Sequence, residues 1–246
     1  MIPKLIHQIW IQGYNNIPSQ LKMYQSGCEN INDDFKFVIW DDDKIKDFLK
    51  KYFEKEYLEL YNKYNIYAQK ADFARYAILY IYGGIYLDMD MLCRKNLSPF
   101  LKHNFFCAKN NYPFFWKRYL NGIVGTIPKH PVFLFVFKNI FLRQNRANDV
   151  TYSTGTGLFF DSVNEYMKTT DEPNITFIDT KYLHPCHTFD SEFCPYTCDS
   201  CYVAHIHYGS WYSDSEKYFK KNIKMIVFIT IIITLLIFYY MKNNVS

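Results

Sequence analysis

The run from Ala71 to Met91, ADFARYAILYIYGGIYLDMDM, constrains the fold of this chain more than any other segment. Apolar residues at helical spacing predict a helix over Ala68–Tyr82, and Gly83-Gly84 is a typical helix stop. A strand is predicted directly after it, over Ile85–Leu92. A helix that leads through two glycines into a strand is typical of an alternating α/β domain.

The same alternation extends along the chain. Strands are predicted at Lys4–Ile11, Phe35–Trp40 and Asn121–Ile127, and helices after Asp43 and at Pro131–Arg143. After residue 151 the pattern weakens, and short strands and loops are expected there. The expected fold class is therefore α/β, with a mostly parallel sheet flanked by helices. With 246 residues and a net charge of +4, the chain suits one domain plus an appendage and gives no sign of nucleic-acid binding.

The appendage is an apolar run near the C-terminus. Residues 225–241 contain no charged side chain, and apolar residues fall on every face of a helix drawn there. This predicts one C-terminal transmembrane helix, followed by a short tail at 242–246. A buried C-terminal helix is the alternative. The catalytic domain is then expected over residues 1–221.

Two signals disagree about which side of the membrane the domain occupies. Four lysines precede the span and only Lys242 follows it, which favours the cytosolic face of an endomembrane. Glycosylation sequons such as those at Asn96 and Asn174 would matter only in a lumen. Such sequons arise easily by chance in an Asn-rich chain, so the lysines carry more weight.

Four of the seven cysteines cluster in the segment 184–201. Three states are open for them: a structural zinc site, disulfides in an oxidising compartment, or free buried thiols. A zinc site or a disulfide would each cross-link a loop without taking part in catalysis. The four residues are Cys186, Cys194, Cys198 and Cys201.

Two carboxylates in the predicted strand carry the clearest chemical signal. Alternation places Tyr86, Asp88 and Asp90 on one strand face. Two carboxylates so close repel each other unless a positive charge lies between them. Oxygen ligands of this kind suit Mn²⁺ or Mg²⁺, which also bind phosphate oxygens. We therefore expect a metal site at this strand.

Two further acidic motifs need to be weighed against it. Asp72 and Arg75 lie three residues apart on the predicted helix, so they form either a surface ion pair or a phosphate-binding pair. Asp41 and Asp43 follow the strand FKFVIW and open a helix. Capping and the helix dipole explain them, and a metal site is the weaker interpretation.

Taken together, the motifs IPKLIHQIW, VIWDDD, ADFARYAILYIYGGIYLDMD and HIHYGSW resemble glycosyltransferase family 32. The resemblance covers most of residues 1–211 and implies the GT-A fold, which is Rossmann-like. It also implies retaining transfer of a sugar from a sugar nucleotide with a divalent metal, and an acceptor that is a lipid or a glycan. The cysteine segment and the C-terminal span resemble the branch that mannosylates inositol phosphorylceramide.

The resemblance assigns roles residue by residue. It implies that Asp88, Asp90 and His207 bind the metal, with His205 competing for the role of His207. It implies that Asp72 and Arg75 contact the donor sugar and its diphosphate. Catalysis is thus expected from Asp72, Arg75, Asp88 and Asp90, and donor binding from Trp10, Asp72, Arg75, Tyr86, Asp88, Asn121 and Trp211. The turn TGTGL at 154–158 resembles a family turn but lacks its proline.

Mannose from GDP-mannose, passed to a membrane-associated glycolipid, is the expected reaction. Transfer from UDP-galactose or UDP-glucose to a glycan or protein is the alternative within the same fold. A non-catalytic, membrane-anchored binding protein is the alternative of another class. The intact carboxylate pair argues against that last alternative, since a site without function would not need like charges side by side.

Overall fold

A six-stranded sheet forms the centre of the chain in a computed structural model, which describes residues 1–109, 119–146, 149–186, 194–209 and 214–244. The strands of these ranges are β1 (Leu5–Ile9), β2 (Lys36–Trp40), β3 (Gly84–Leu87), β4 (Met91–Cys93), β5 (Phe105–Lys109), β6 (Tyr119–Thr126), β7 (Ile175–Asp179) and β8 (Val203–His205). The large sheet has the order β2-β1-β3-β6-β5-β7, and β4 pairs with β8 in a separate two-stranded sheet.

The large sheet is mostly parallel, as the alternation predicts. Strand β1 runs parallel to β2 and β3, and β5 runs parallel to β7. Strand β6 is antiparallel to both of its neighbours, β3 and β5. The carboxyl ends of β1, β2 and β3 therefore share one edge, which is where ligands bind in open α/β sheets.

Helices cover both faces of this sheet. Those in the described ranges are α1 (Ser19–Ile31), α2 (Asp42–Tyr52), α3 (Lys55–Lys63), α4 (Tyr67–Tyr82), α5 (Val132–Arg143), α6 (Val150–Ser153), α7 (Thr156–Met167), α8 (Thr180–Leu183), α9 (Cys194–Thr197) and α10 (Asp214–Asn244). Helix α4 is buried along most of its length, including at its charged residues Asp72 and Arg75. An apolar helix without a polar face belongs inside a protein, and α4 packs between the sheet and α5.

The expectation of only strands and loops after residue 151 is wrong, because α7 is a regular helix of 12 residues. Its inward face carries Leu158, Phe159 and Val163 at helical spacing, but also the polar Ser162. Ser162 is accommodated because its hydroxyl donates to the Leu158 carbonyl and accepts from the Asn139 amide. A polar residue in a buried position obscures the helical pattern.

Gly83 and Gly84 make the turn from α4 into β3, and both need to be glycine. Their φ angles are +63° and +90°, in the region that residues with a side chain avoid. A Cβ on Gly83 would lie 2.7 Å from Pro128, and one on Gly84 would lie 2.7 Å from the Leu5 carbonyl oxygen. The turn therefore lies directly against the start of β1 and against the segment that follows β6.

The C-terminal helix α10 runs from Asp214 to Asn244. Its described apolar side chains between Ile231 and Phe238 are exposed, so the alternative of a helix buried in the domain is wrong. Within the described ranges, no helix combines the length and the apolarity needed to cross a membrane. The span at 225–241 stays a prediction.

Candidate active site

The two carboxylates of the D-x-D motif lie in a turn, and not along a strand as predicted. Strand β3 ends at Leu87, and β4 begins at Met91. The Asp88 N–H donates to the Gly122 carbonyl at 2.9 Å, which fixes the turn against β6. Asp88 and Asp90 line a cleft of about 260 Å³ at the carboxyl edge of β1 and β3. The alternation rule fails here because the chain leaves the sheet at Leu87.

Arg75 reaches from α4 into the same cleft. Its guanidinium lies 3.2 Å from an Asp72 oxygen and 3.1 Å from an Asp88 oxygen, and donates to the Asn121 carbonyl at 2.6 Å. It also stacks 4.4 Å from the centre of the Tyr86 ring. Its side chain is only 7 % exposed, so the interpretation as a surface ion pair with Asp72 is wrong.

Asp72 is the most deeply buried carboxylate of the cleft. Burial raises its pKa to about 6, despite the opposing effect of Arg75. It accepts hydrogen bonds from the Asn121 amide at 3.0 Å and the Thr154 hydroxyl at 3.1 Å. Asn121 also donates to the Tyr76 hydroxyl. The Arg75–Asp72 pair is therefore fixed in position by β6 and by the segment before α7.

Asp90 is paired with His205, which lies 115 residues later in the chain. The pairing of β4 with β8 sets Met91 opposite His205 and brings the imidazole Nε2 to 2.9 Å from an Asp90 oxygen. The Tyr208 N–H donates to the other carboxylate oxygen. Burial opposes ionisation, but His205 and the Tyr208 N–H outweigh it and lower the pKa of Asp90 to about 2. The pKa of His205 is raised, because Asp90 outweighs burial.

A cation site fits these residues. Ligand atoms of Asp88, Asp90 and His205 all lie within 4.8 Å of one another. Two carboxylates and one imidazole suit Mn²⁺ or Mg²⁺. His207, which the resemblance assigns as the third ligand, turns its Nε2 to the Cys186 carbonyl at 3.0 Å instead. The φ of His207 is +56°, yet its ring lies 4.1 Å from that of His205, so the contact with Cys186 is what separates the two histidines.

Three of the remaining predicted donor-binding residues lie at the cleft, each with a different environment. Trp10 follows β1, lines the cleft half-buried, and its indole N–H donates to the Asn16 carbonyl. Tyr86 is buried, and its hydroxyl donates to an Asp88 oxygen at 2.7 Å. Asn121 is buried beside Asp72. Trp211 lies outside the described residues.

The structure adds two residues that sequence reasoning missed. A Cβ on Gly122 would lie 2.7 Å from an Asp88 carboxylate oxygen, so only glycine lets that side chain lie against β6. Thr154 contacts Asp72, so the TGTGL turn touches the cleft. The glycine of the motif NGIVG was a usable signal for close approach.

The structure also bears on two alternatives that the sequence left open. Asp41 caps α2 by accepting from the Lys44 N–H at 2.9 Å, which confirms the capping interpretation. Among the clustered cysteines, Cys186 is bonded to Cys194, and Cys198 to Cys201. A third disulfide, which the sequence gave no sign of, joins Cys28 in α1 to Cys93 in β4.

Comparison with known proteins agrees with this site. The family profile described as "Glycosyltransferase sugar-binding region containing DXD motif" matches residues 18–107. An uncharacterized glycosyltransferase of Acanthamoeba polyphaga mimivirus is 59 % identical over 211 residues, covering 86 % of this chain and 84 % of that protein. The chain therefore belongs to the family of DXD-containing glycosyltransferases, family 32.

More distant relatives carry specific activities in their names. Inositol phosphoceramide mannosyltransferase 3 of Schizosaccharomyces pombe is 34 % identical over 163 residues, covering 63 % of this chain. The chain spans only 42 % of that protein's length. The solved structure of the PaToxG glycosyltransferase superposes with a TM-score of 0.53 at 19 % identity, covering 70 % of this chain and 73 % of that one. This likeness confirms the GT-A-like fold.

Proposed function

We propose that this chain is a retaining, divalent-metal-dependent mannosyltransferase that takes mannose from GDP-mannose. The acceptor we propose is a membrane-associated glycolipid of the inositol phosphorylceramide type. The yeast relative named as an inositol phosphoceramide mannosyltransferase supports the choice of sugar and acceptor. The observation that carries catalysis is a buried Arg75 held between Asp72 and Asp88, beside the Asp90–His205 pair in one cleft.

Each group has a defined role in this proposal. Asp88, Asp90 and His205 would hold Mn²⁺ or Mg²⁺, which supplies positive charge beside the leaving diphosphate. Arg75 supplies a second, fixed positive charge, and Asn121 and Tyr86 keep its guanidinium in place. The donor would lie against Trp10, with Trp211 proposed to close over it.

The carboxylates of the cleft favour attack on the face from which the diphosphate leaves. Among the described residues that line the cleft, each carboxylate is ion-paired: Asp72 and Asp88 to Arg75, and Asp90 to His205. A carboxylate that is held by a cation is a poor nucleophile. Retention would therefore proceed without a covalent intermediate on these residues, through an oxocarbenium-like state.

A donor panel tests the reaction. The full-length protein in detergent would be given GDP-mannose, UDP-galactose or UDP-glucose with Mn²⁺, with and without chelator. Chelator-sensitive hydrolysis of GDP-mannose alone is expected. Hydrolysis of a UDP-sugar instead would identify that sugar nucleotide as the donor. Hydrolysis that continues in the presence of chelator would show that Asp88 and Asp90 do not act by binding a metal. A folded protein that binds no donor would favour the non-catalytic alternative.

We also propose that residues 225–241 anchor the protein and that its domain faces an oxidising lumen. The flanking lysines favour the cytosol, but three disulfides support the opposite face. The sequons at Asn96 and Asn174 allow a test, because their asparagines differ in exposure. Asn174 is exposed, whereas Asn96 is half-buried and its amide donates to both the Ile31 carbonyl and Asp34.

Glycosylation in a eukaryotic expression host reports the face directly. A glycosidase-sensitive mass shift is expected, and Asn174→Gln should abolish it while Asn96→Gln leaves it unchanged. If the mass does not shift, and protease added to sealed membranes degrades the domain, the domain lies on the cytosolic face and the lumenal proposal is wrong.

A further inference from the structure

Three histidines form a cluster on the side of His205 that faces away from Asp90. The cluster consists of His184, His205 and His207, whose ring centres lie 4.1–5.2 Å apart. Ligand nitrogens of all three lie within 4.8 Å of one another. We refer to these residues as the histidine cluster.

Three different segments bring the cluster together. His184 is buried directly after α8, His205 ends β8, and His207 follows it with a φ of +56°. A residue other than glycine rarely adopts such a backbone angle, and such residues occur preferentially at functional sites. Disulfide-bonded Cys186 lies two residues after His184, and its carbonyl meets the His207 ring. The cluster is thus held by the cysteine segment.

We propose that the histidine cluster is a zinc site, separate from the carboxylate site of the D-x-D motif. Three imidazoles with an open fourth position are a common ligand set for Zn²⁺. Mg²⁺ and Mn²⁺ prefer oxygen ligands, so the two sites select different ions. The cluster offers nitrogen ligands, whereas the neighbouring site offers two carboxylates and one imidazole.

His205 belongs to both sites through different ring nitrogens. Its Nε2 lies 2.9 Å from Asp90, and its Nδ1 lies 2.8 Å from the His184 Nε2. A neutral imidazole has one lone pair and one N–H. When Zn²⁺ binds the His205 Nδ1 and the His184 Nε2, the proton between these nitrogens moves to the His184 Nδ1, and neutral His205 keeps its single N–H on Nε2. That Nε2 then donates to Asp90 and cannot bind a second cation.

Zinc at the cluster therefore inhibits transfer by removing His205 from the catalytic cation. This step rests on the proposed function, in which His205 Nε2 holds that cation. The existence of the zinc site does not rest on it, because zinc binding is measurable without any donor or acceptor.

Zinc binding is the first test. The full-length protein in detergent, without reductant, would be titrated with Zn²⁺ in excess Mg²⁺ by calorimetry, and with Co²⁺ by visible absorption. His184→Gln is expected to lose one metal equivalent and the Co²⁺ bands of nitrogen ligation. His103→Gln is the matched control, because that histidine is half-buried elsewhere and bonded to Thr176. An unchanged stoichiometry in His184→Gln would overturn the zinc site.

Inhibition is the second test, measured on donor hydrolysis in saturating Mn²⁺. Zn²⁺ should inhibit the wild type and the His103→Gln variant, and His184→Gln should resist it. Zinc that binds at the cluster without inhibiting would overturn the inhibitory step and leave the site itself in place. If the wild type hydrolyses no donor, the proposed function fails, while the binding titration still decides the zinc site.

Discussion

Two acidic runs follow the two strands that flank β1 in the sheet, and they have different roles. The run 41–43 follows β2, and the D-x-D motif at 88–90 follows β3, on either side of β1. Asp42 of the first run and Asp88 of the second have almost equally exposed side chains, 25 % and 24 %. Exposure therefore does not distinguish a helix start from a catalytic motif.

The partners of each run make the difference. Burial alone would raise the pKa of Asp42, but Lys46, Tyr61 and Lys70 bind it and lower that pKa below its usual value. Burial and Asp90 raise the pKa of Asp88, and Arg75 only partly offsets them. Two lysines and a tyrosine hydroxyl thus compensate the charge of Asp42. The second run keeps an excess of negative charge, as a cation site requires.

The largest expected effect separates the two runs by activity. Asp90→Asn removes one ligand and should lower donor turnover by about 10²–10³-fold, since charge stabilisation in the transition state is lost. Asp43→Asn makes the same change in an exposed residue of the first run and should leave turnover unchanged. Steady-state kinetics on both variants make the comparison. Equal losses in the two would show that surface charge, and not the cleft, sets the rate.

Gly122→Ala should disturb the second run without touching its charges. The new methyl group would displace the Asp88 carboxylate, and a shift of this size at a catalytic group costs up to about 10²-fold in rate. Gly27→Ala is the control, because a Cβ there meets nothing within 4 Å and glycine is unfavourable inside helix α1. Normal turnover in Gly122→Ala would mean that Asp88 tolerates displacement. Circular dichroism would confirm that both variants fold.

Asp72→Asn should stabilise the protein while lowering its activity. The folded pKa of Asp72, about 6, lies above its unfolded value, so ionisation at neutral pH opposes folding. Removing the charge should raise the free energy of unfolding by roughly 2 kcal/mol at pH 7. The gain should shrink as pH falls below 6, where the wild-type carboxyl takes up a proton.

Asp42→Asn should have the opposite sign. Its folded pKa lies below the unfolded value, so ionised Asp42 stabilises the wild type at neutral pH, and that contribution is lost in acid. Urea unfolding of both variants at pH 7, pH 5 and pH 3 measures the contrast, because the Asp72 effect changes below pH 6 and the Asp42 effect only below about pH 4. A destabilised Asp72→Asn protein would show that pairing with Arg75 outweighs the burial of the charge.

The smallest expected effect concerns the cap. Asp41→Ala removes the acceptor for the Lys44 N–H and should cost about 1 kcal/mol of unfolding free energy. Donor turnover should not change, because the first run lies outside the cleft. Thermal unfolding measures the cost, and Asp41→Asn, which keeps a capping oxygen, should recover most of it.

The sequence predicted the parts that depend on neighbouring residues. The helix, its double glycine and the cap at Asp41 follow from local spacing, whereas the site roles expected for Asp72 and Arg75 came from the family resemblance. It could not predict the pairing of Cys28 with Cys93, which lie 65 residues apart.

The sequence also could not show which of two histidines, His205 or His207, lies beside the carboxylates. Alternation places His205 and His207 on one side, where their rings do lie 4.1 Å apart, but only the folded structure shows that His205 contacts Asp90 and His207 contacts Cys186. Residue spacing also could not show that β3 ends at Leu87, because a D-x-D motif can lie in a turn as well as in a strand. These features depend on tertiary contacts.

The pairing of β4 with β8 has a consequence for biosynthesis. The imidazole that meets Asp90 leaves the ribosome 115 residues after it, or about 6–23 s later at ordinary rates of translation. Throughout that interval the nascent chain carries the D-x-D carboxylates without their histidine partner. The site is completed only by the last part of the domain to be made, so prematurely terminated chains that end before β8 would lack its third ligand.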